Sequence, residues 1–105
     1  MPVFDIKTAL DALDRLVAIA QSDTGQSCRV ANFLLAWRNA ADCGGFDFTD
    51  LRMLDRAIAD DILSVSRLIA ANHVYPGEYG LKAAFKQLVA DWRPHLLAGP
   101  EAGRA

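Results

Sequence analysis

The chain has 105 residues, 52% of them hydrophobic and 23% charged, a balance that is typical of one globular domain and excludes a disordered chain. Its 11 basic and 13 acidic residues leave a net charge of −2, which gives no electrostatic support for binding the phosphate backbone of a nucleic acid. Two cysteines, Cys28 and Cys43, are too few for a disulfide framework or a four-cysteine zinc site.

The first two helices are predicted from apolar residues that recur at intervals of three and four. One runs from Asp5, its N-cap, to about Ala20, and the other from about Ser27 to Cys43, where two glycines end it. Leu35 lies roughly 150° from the apolar stripe of the second helix, so we expect it to be exposed or at an interface. The stripes consist of Ile6, Leu10, Leu13, Val17 and Ala20, and of Val30, Phe33, Leu34, Trp37 and Ala41.

A third and longest helix is predicted from about Thr49 to Asn72, with Thr49 or Asp47 as its cap. The turn signal Pro76-Gly77 follows it. A fourth helix is predicted from about Glu78 to Arg93, and Pro94 ends it. Their apolar stripes are Leu51, Leu54, Ile58, Ile62, Val65 and Ile69, and then Leu81, Phe85, Leu88 and Trp92.

Four amphipathic helices with short connections indicate an all-α fold. We predict a small, four-helix bundle-like single domain over residues 1–94 and a flexible C-terminal tail over residues 95–105. The start, MPVFDIKTAL, lacks the basic segment and apolar run of a secretory signal, and no apolar run is long enough to span a bilayer. We therefore expect a cytoplasmic protein with reduced thiols and no membrane contact.

The segment ADCGGFDFTDLRMLDRAIADD holds six aspartates and raises the question of a catalytic or metal site. Neighbouring carboxylates on one helix point about 100° apart, so Asp60 and Asp61 do not converge on a shared proton or metal. Asp61 lies at the edge of the apolar stripe, where we expect it to pair with an arginine or cap a backbone group. The two cysteines and the two histidines fit no zinc module, so we predict no catalytic residue, metal or cofactor.

The glycine junction between the second and third helices also raises the possibility of a helix-turn-helix. The helix that would enter the DNA groove carries Arg52 and Arg56 among its acids, and residues 47–61 hold five aspartates against two arginines, a local charge of −3. Such a helix is repelled by phosphates, so direct nucleic-acid binding is not expected.

Several apolar or aromatic residues fall outside the main stripes. Single exposed apolar residues are normal, whereas several on separate elements can form a contact patch, and the sequence leaves both interpretations open. These residues are Ile19, Leu35, Phe48, Leu63, Tyr75 and Tyr79.

The run LLAWRNAADCGGFDFTDLRMLDRAIADDI, followed by YPGEYGL and LVADWRP, resembles a family of small uncharacterised proteins carried on integrative conjugative elements and plasmids of proteobacteria. The similarity covers about Leu34 to Pro94. The family often has a second tryptophan where this chain has Arg38. The resemblance implies cargo of a mobile element in a bacterial cytoplasm, and it implies no activity.

The leading hypothesis is a non-enzymatic protein-binding accessory module of a bacterial mobile element that inhibits a host defence complex through an acidic helical surface. Its contact patch comprises Phe48, Asp50, Asp60 and Asp61, with Trp37 as support. One alternative is a self-associating structural protein whose homodimer interface buries Leu35 and Leu63. The other is a small hydrolase or metal-dependent enzyme that uses Asp61 with His73 or His95.

Overall fold

The structure, a computed structural model, describes residues 5–96, and every element within that range is helical. The predicted all-α class is therefore confirmed. Most of the tail predicted for residues 95–105 lies outside the described residues. The elements are α1 (Ile6–Ala20), α2 (Ser27–Cys43), a first 3-10 helix (Phe48–Met53), α3 (Arg56–Ala71), a second 3-10 helix (Pro76–Tyr79) and α4 (Lys82–Trp92).

Helix α1 begins as predicted, at the cap residue Asp5. The Asp5 carboxylate accepts a bond of 3.0 Å from the backbone N–H of Lys7 and one of 2.7 Å from the hydroxyl of Thr8. These bonds satisfy polar groups that the first helical turn leaves without a partner. The buried face of α1 is broader than the predicted stripe, and Ile6 is exposed. The buried residues of α1 are Ala9, Ala12, Leu13, Leu16, Val17 and Ala20.

Two aspartate caps make the stability of the fold depend on pH. The Thr8 hydroxyl lowers the pKa of Asp5 below its ordinary 3.8, and the Thr49 hydroxyl, with the Thr49 N–H, does the same for the pKa of Asp47. A carboxyl whose pKa is lower in the folded than in the unfolded protein stabilises the fold above the unfolded pKa. That contribution is lost as the pH falls from about 4 through the lowered folded pKa.

As the pH is lowered below about 4, we expect the urea midpoint of the Asp5→Asn, Asp47→Asn double variant to decrease less than that of the wild type. The reason is that asparagine keeps the hydrogen-bond acceptor but does not titrate. The comparison is made by circular dichroism from neutral to acidic pH. Asp14→Asn, at an exposed position in mid-helix, is the control. Equal slopes for the wild type and the double variant would contradict the role given to the caps.

Helix α2 has the predicted bounds but bends near its end. Asn39 has φ −169° and ψ 90°, which interrupts the helical backbone, and its side chain bonds to the carboxylate and the backbone N–H of Asp42. Gly44 then ends the helix with φ 94° and ψ 160°, a positive-φ conformation that suits glycine.

The prediction that Leu35 is exposed is wrong. Its side chain has 0% relative exposure and belongs to the main hydrophobic core. The reason is that α2 packs against α1 on one side and against α4 on another, so apolar residues outside a single stripe are also covered. Leu35 is therefore unavailable for the predicted dimer interface in this fold.

The predicted third helix is in fact two elements. The 3-10 helix capped by Asp47 ends at Leu54, whose backbone is extended, and α3 starts only at Arg56. At the break, the backbone N–H of Asp55 donates to Gln26 Oε1 at 2.7 Å, and Gln26 Nε2 donates to Asp55 Oδ2 at 3.0 Å. This pair of bonds to another part of the chain takes the place of a continuing helical ladder.

The predicted fourth helix also starts too early. The second 3-10 helix occupies the turn, and Gly80 then adopts a left-handed conformation, with φ 76° and ψ 18°, before α4 begins at Lys82. The C-terminal end agrees with the prediction, because α4 stops at Trp92, just before Pro94.

The core lies where α1 packs on α2 and α3 and where α2 packs on α4. The indole N–H of Trp92 donates to the carbonyl of Ala20 at 2.8 Å, which joins the ends of α4 and α1. A regular bundle of four parallel or antiparallel helices stays a prediction. Among residues 5–96, no helix has both the length and the apolar character needed to cross a membrane.

Candidate functional site

Asp61 forms an ion pair, as predicted from its place beside the core. Arg15 of α1 donates to it from Nε at 2.9 Å and from Nη2 at 2.8 Å. The hydrogen bonds from Arg15 to this carboxylate raise the pKa of the arginine further above its ordinary value. Because both carboxylate oxygens are engaged, Asp61 links α3 to α1.

The other two acids of the predicted patch differ in their surroundings. Asp50 lies 3.5 Å from Arg29 Nε of α2, which makes an ion pair between the first 3-10 helix and α2 without a hydrogen bond between the two atoms. Asp60 is exposed on the first half of α3. Of the three predicted acids, two therefore have arginine partners within the fold, and Asp60 points to solvent.

Asp61 does not meet the histidine that follows α3. His73 comes twelve residues later, and the helical rise alone separates Asp61 from the end of α3 by about 15 Å. His95 is exposed beyond α4. Within residues 5–96, no group of three or more His, Cys, Asp or Glu residues is arranged to hold a metal ion.

Phe48 is the predicted site residue that stands out. Its side chain is 76% exposed although it is large and apolar. It contacts Phe46 edge to face, with ring centroids 6.1 Å apart, and Phe46 contacts the buried Phe33 in the same way at 5.5 Å. This row of three rings leads from the core to the surface, so Phe48 rests with one edge on a packed aromatic support.

Beside this row lies a shallow cavity of about 260 Å³, which we call the aromatic hollow. Trp37 forms part of its wall, and its indole N–H donates to the carbonyl of Val74 at 3.3 Å, which fixes the ring. The sequence pointed to Phe48 and Trp37 but not to the others, because they lie on three separate elements. The walls of the aromatic hollow include Phe33, Trp37, Phe46, Phe48, Ser66 and Ile69.

Next to the aromatic hollow lies a second cavity of about 240 Å³, which we call the middle hollow. Trp37 and Ile69 line both cavities, so the two hollows are neighbours on the surface, and we refer to them together as the groove. The middle hollow is bounded by His73 and by Tyr75, an aromatic residue that is 68% exposed. Two exposed aromatic side chains, Phe48 and Tyr75, thus stand at different points of a groove with an apolar wall.

Two of the predicted acids, Asp60 and Asp61, lie away from this groove along α3. Asp61 faces α1, whereas Ile69, which lines the groove, comes eight residues later and about 12 Å further along the helix axis. Leu63, the second residue predicted for self-association, is 51% exposed and does not line the aromatic hollow. Of the predicted contact residues, only Phe48 with its support Trp37 belongs to the groove.

Comparison with known proteins gives one match. The model of a family described as a family of unknown function (DUF7673) matches residues 10–93 of this chain, which includes every helix from α2 to α4 and most of α1. No curated protein matches the chain. No solved structure matches it either.

Proposed function

The chain belongs to this family of unknown function, DUF7673, and we propose that it is a non-enzymatic protein-binding module whose main contact surface is the aromatic hollow. The observation that carries the proposal is the exposure of Phe48 on top of a packed row of aromatic rings. A large apolar side chain left in water is unfavourable, and a partner that covers it gains the free energy of burying that ring.

The construction of the hollow supports a protein ligand. Aromatic residues are enriched at the centres of protein interfaces, where a few of them supply most of the binding free energy. Phe48 and Trp37 are supported from behind by Phe46 and by the bond to Val74, so little side-chain entropy is lost when a partner binds. The wall of the hollow is predominantly apolar, and catalytic groups are not gathered in it.

The acids predicted as contact residues, Asp50, Asp60 and Asp61, have a secondary part in this proposal. Asp50 and Asp61 already interact with arginines of the same chain, so they stabilise the fold first. Asp60 is exposed, so its charge is felt by an approaching partner although it lies away from the hollow along α3. Rim charges influence association rate and selectivity more than affinity.

The setting proposed for this module is the cytoplasm of a bacterium that carries a conjugative element or plasmid, following the resemblance described above. There it acts as an accessory protein of the mobile element and inhibits a host defence complex by occupying one of its surfaces. The family's genetic context supports this setting, and the chemistry of the hollow supports the protein-binding role.

The proposal predicts that Phe48→Ala abolishes capture of the partner. Tagged wild-type protein and the variant are used to recover proteins from the lysate of a bacterium that carries the element, and the bound proteins are identified by mass spectrometry. We expect a partner that the wild type enriches and Phe48→Ala does not, because truncation removes the exposed ring from the contact.

Leu63→Ala is the matched control, since it also removes an exposed apolar side chain but lies outside the hollow. It is expected to recover the partner as well as the wild type does. Equal recovery by all three proteins, or none by a folded wild type, would contradict the proposed function.

Self-association is a second candidate because Leu63 remains half-exposed after Leu35 has been assigned to the core. A homodimer that buried this residue would have twice the mass of the 11.4 kDa chain and would dissociate in Leu63→Ala. Analytical ultracentrifugation over a wide concentration range separates the two candidates.

A further inference from the structure

The groove ends in a third and basic cavity. It has a volume of about 350 Å³ and shares the lining residue Tyr75 with the middle hollow, so the three cavities are neighbours along the surface. Phe85 and Pro76, both buried residues, form its apolar floor. Three cationic side chains line this basic hollow: Arg38, Lys82 and Lys86.

These three cations have no carboxylate partner within residues 5–96: the ion pairs of that range join Lys7 to Asp11, Arg15 to Asp61, and Arg29 to Asp50. All three side chains belong to exposed residues. The chain has three lysines in all, and two of them line this one cavity. In a protein of net charge −2, a separate basic site therefore stands at one end of the groove.

The arrangement of the lysines is unfavourable for the isolated fold. Lys82 is the first residue of α4, where the helix dipole is positive, and Lys86 follows it at the i,i+4 spacing that brings like charges together. No acidic residue lies in the first turn of α4 to offset them. A bound carboxylate would relieve this repulsion, so the local electrostatics favour an anionic ligand.

We propose that the groove binds an acidic peptide segment of a partner protein, with an apolar side chain in the aromatic hollow and carboxylates in the basic hollow. This inference rests on the proposed protein-binding function and adds the chemistry of the partner. The three cations at one end of the groove favour a peptide with carboxylates there, by charge complementarity. The apolar wall at the other end favours an apolar side chain of the same peptide. The residues Trp37, Ile69 and Tyr75 line the middle hollow, which lies between the two ends.

A polymeric anion such as a nucleic acid fits this surface less well. Its phosphates would extend beyond the basic hollow and meet a surface that is acidic elsewhere, with a charge of −3 over residues 47–61 alone. A peptide can place its carboxylates locally and its apolar side chain in the hollow lined by Phe33 and Phe48. The partner is therefore an amphipathic acidic segment.

The test selects peptides from a random library displayed on phage against the immobilised full-length chain. The expected consensus has an aromatic or large aliphatic residue with aspartate or glutamate on one side of it. A synthetic peptide of that consensus is expected to bind about ten-fold or more weakly to the double variant Lys82→Glu, Lys86→Glu, and to lose affinity as salt is raised.

The matched control is Lys7→Glu, Arg67→Glu, which changes the net charge by the same amount at two exposed positions outside the groove. It is expected to bind the peptide within about two-fold of the wild type, because surface charges away from a contact have small effects. Circular dichroism of both double variants confirms that they are folded. Within residues 5–96 the side chains of Lys82 and Lys86 make no ion pair, and the ion pair that the control removes, between Lys7 and Asp11, is on the surface, so we expect both variants to fold.

The possible failures are distinguishable. The selected peptides could lack acidic residues, bind the Lys82→Glu, Lys86→Glu variant as well as the wild type, and fail to bind Phe48→Ala. That result would overturn this inference and leave the proposed function intact. No enriched peptide on the folded wild type would overturn both. If the wild type is a dimer and the lysine double variant is a monomer, the basic hollow binds a second copy of the chain, which would overturn the inference. If the wild type binds single-stranded DNA tightly and the lysine double variant does not, the basic hollow binds nucleic acid, which would also overturn it.

Discussion

Replacing Phe85 with alanine is expected to lower the free energy of unfolding by about 3–5 kcal/mol. Phe85 is 2% exposed and packs edge to face on Trp37, with ring centroids 6.1 Å apart, at the contact between α4 and α2. Truncation leaves a cavity that the surrounding helices fill only in part. Since small domains are stable by roughly 5–15 kcal/mol, this loss removes between about one fifth and all of the stability of the fold.

Phe48→Ala is the control for this prediction, because it is the same chemical change at an exposed position. It is expected to cost about 1 kcal/mol or less, since the ring is in water and only its edge-to-face contact with Phe46 is lost. Urea unfolding followed by circular dichroism measures both. Equal losses would contradict the assignment of Phe85 to the core and of Phe48 to a contact surface.

The second large effect is expected at Arg93, whose guanidinium ties the end of α4 to α2. Its Nε donates to the carbonyl of Cys43 at 2.8 Å, Nη2 to Asn32 Oδ1 at 2.6 Å and Nη1 to the carbonyl of Trp92 at 2.9 Å. We expect Arg93→Ala to cost about 2–3 kcal/mol in unfolding free energy, because bonds from a charged donor are lost and partly buried acceptors stay unpaired.

Arg93→Lys separates charge from geometry in this prediction. Lysine keeps the positive charge but lacks the planar fork, so it can reach the acceptors at Cys43 and Asn32 only one at a time, and most of the loss should remain. Arg67→Ala, at an exposed position of α3, is the control and should change stability by about 0.5 kcal/mol or less. If Arg93→Lys is as stable as the wild type, the contribution of Arg93 to the unfolding free energy comes from its charge and not from the three hydrogen bonds.

Local chemistry allowed part of this fold to be predicted from the sequence. The bounds of α1 and α2 follow from apolar spacing, the cap Asp5 and the glycines after Cys43. Asp61 was expected to pair because a carboxylate beside an apolar stripe needs a partner, although the stripe does not reveal that Arg15 is that partner.

The errors arose where distant contacts decide the conformation. The apolar residues Leu51, Leu54 and Ile58 keep helical spacing across the break before α3, so their period cannot distinguish one helix from two elements. The break depends on the side chain of Gln26, far away in the sequence, which bonds to Asp55. Leu35 was misassigned because a single stripe describes a helix with one neighbour, whereas α2 has two.

The candidate site was predictable only in Phe48, its support Trp37 and the exposed aromatic residue Tyr75. The groove is assembled from α2, the 3-10 helices and the loops next to them, α3 and α4, and no motif in the chain links these pieces. The acids Asp50 and Asp61 attracted attention by composition, yet the fold uses both in ion pairs. Composition identifies charged residues but does not show which of them remain free after folding.

The most direct measurement is the affinity of the purified partner recovered by the wild type, determined by isothermal titration calorimetry for the wild type, Phe48→Ala and Leu63→Ala. If the aromatic hollow is the contact surface, Kd rises at least about ten-fold in Phe48→Ala and stays within about two-fold in Leu63→Ala. An unchanged Kd in Phe48→Ala, with both variants folded, would contradict the assignment of the binding surface to the aromatic hollow.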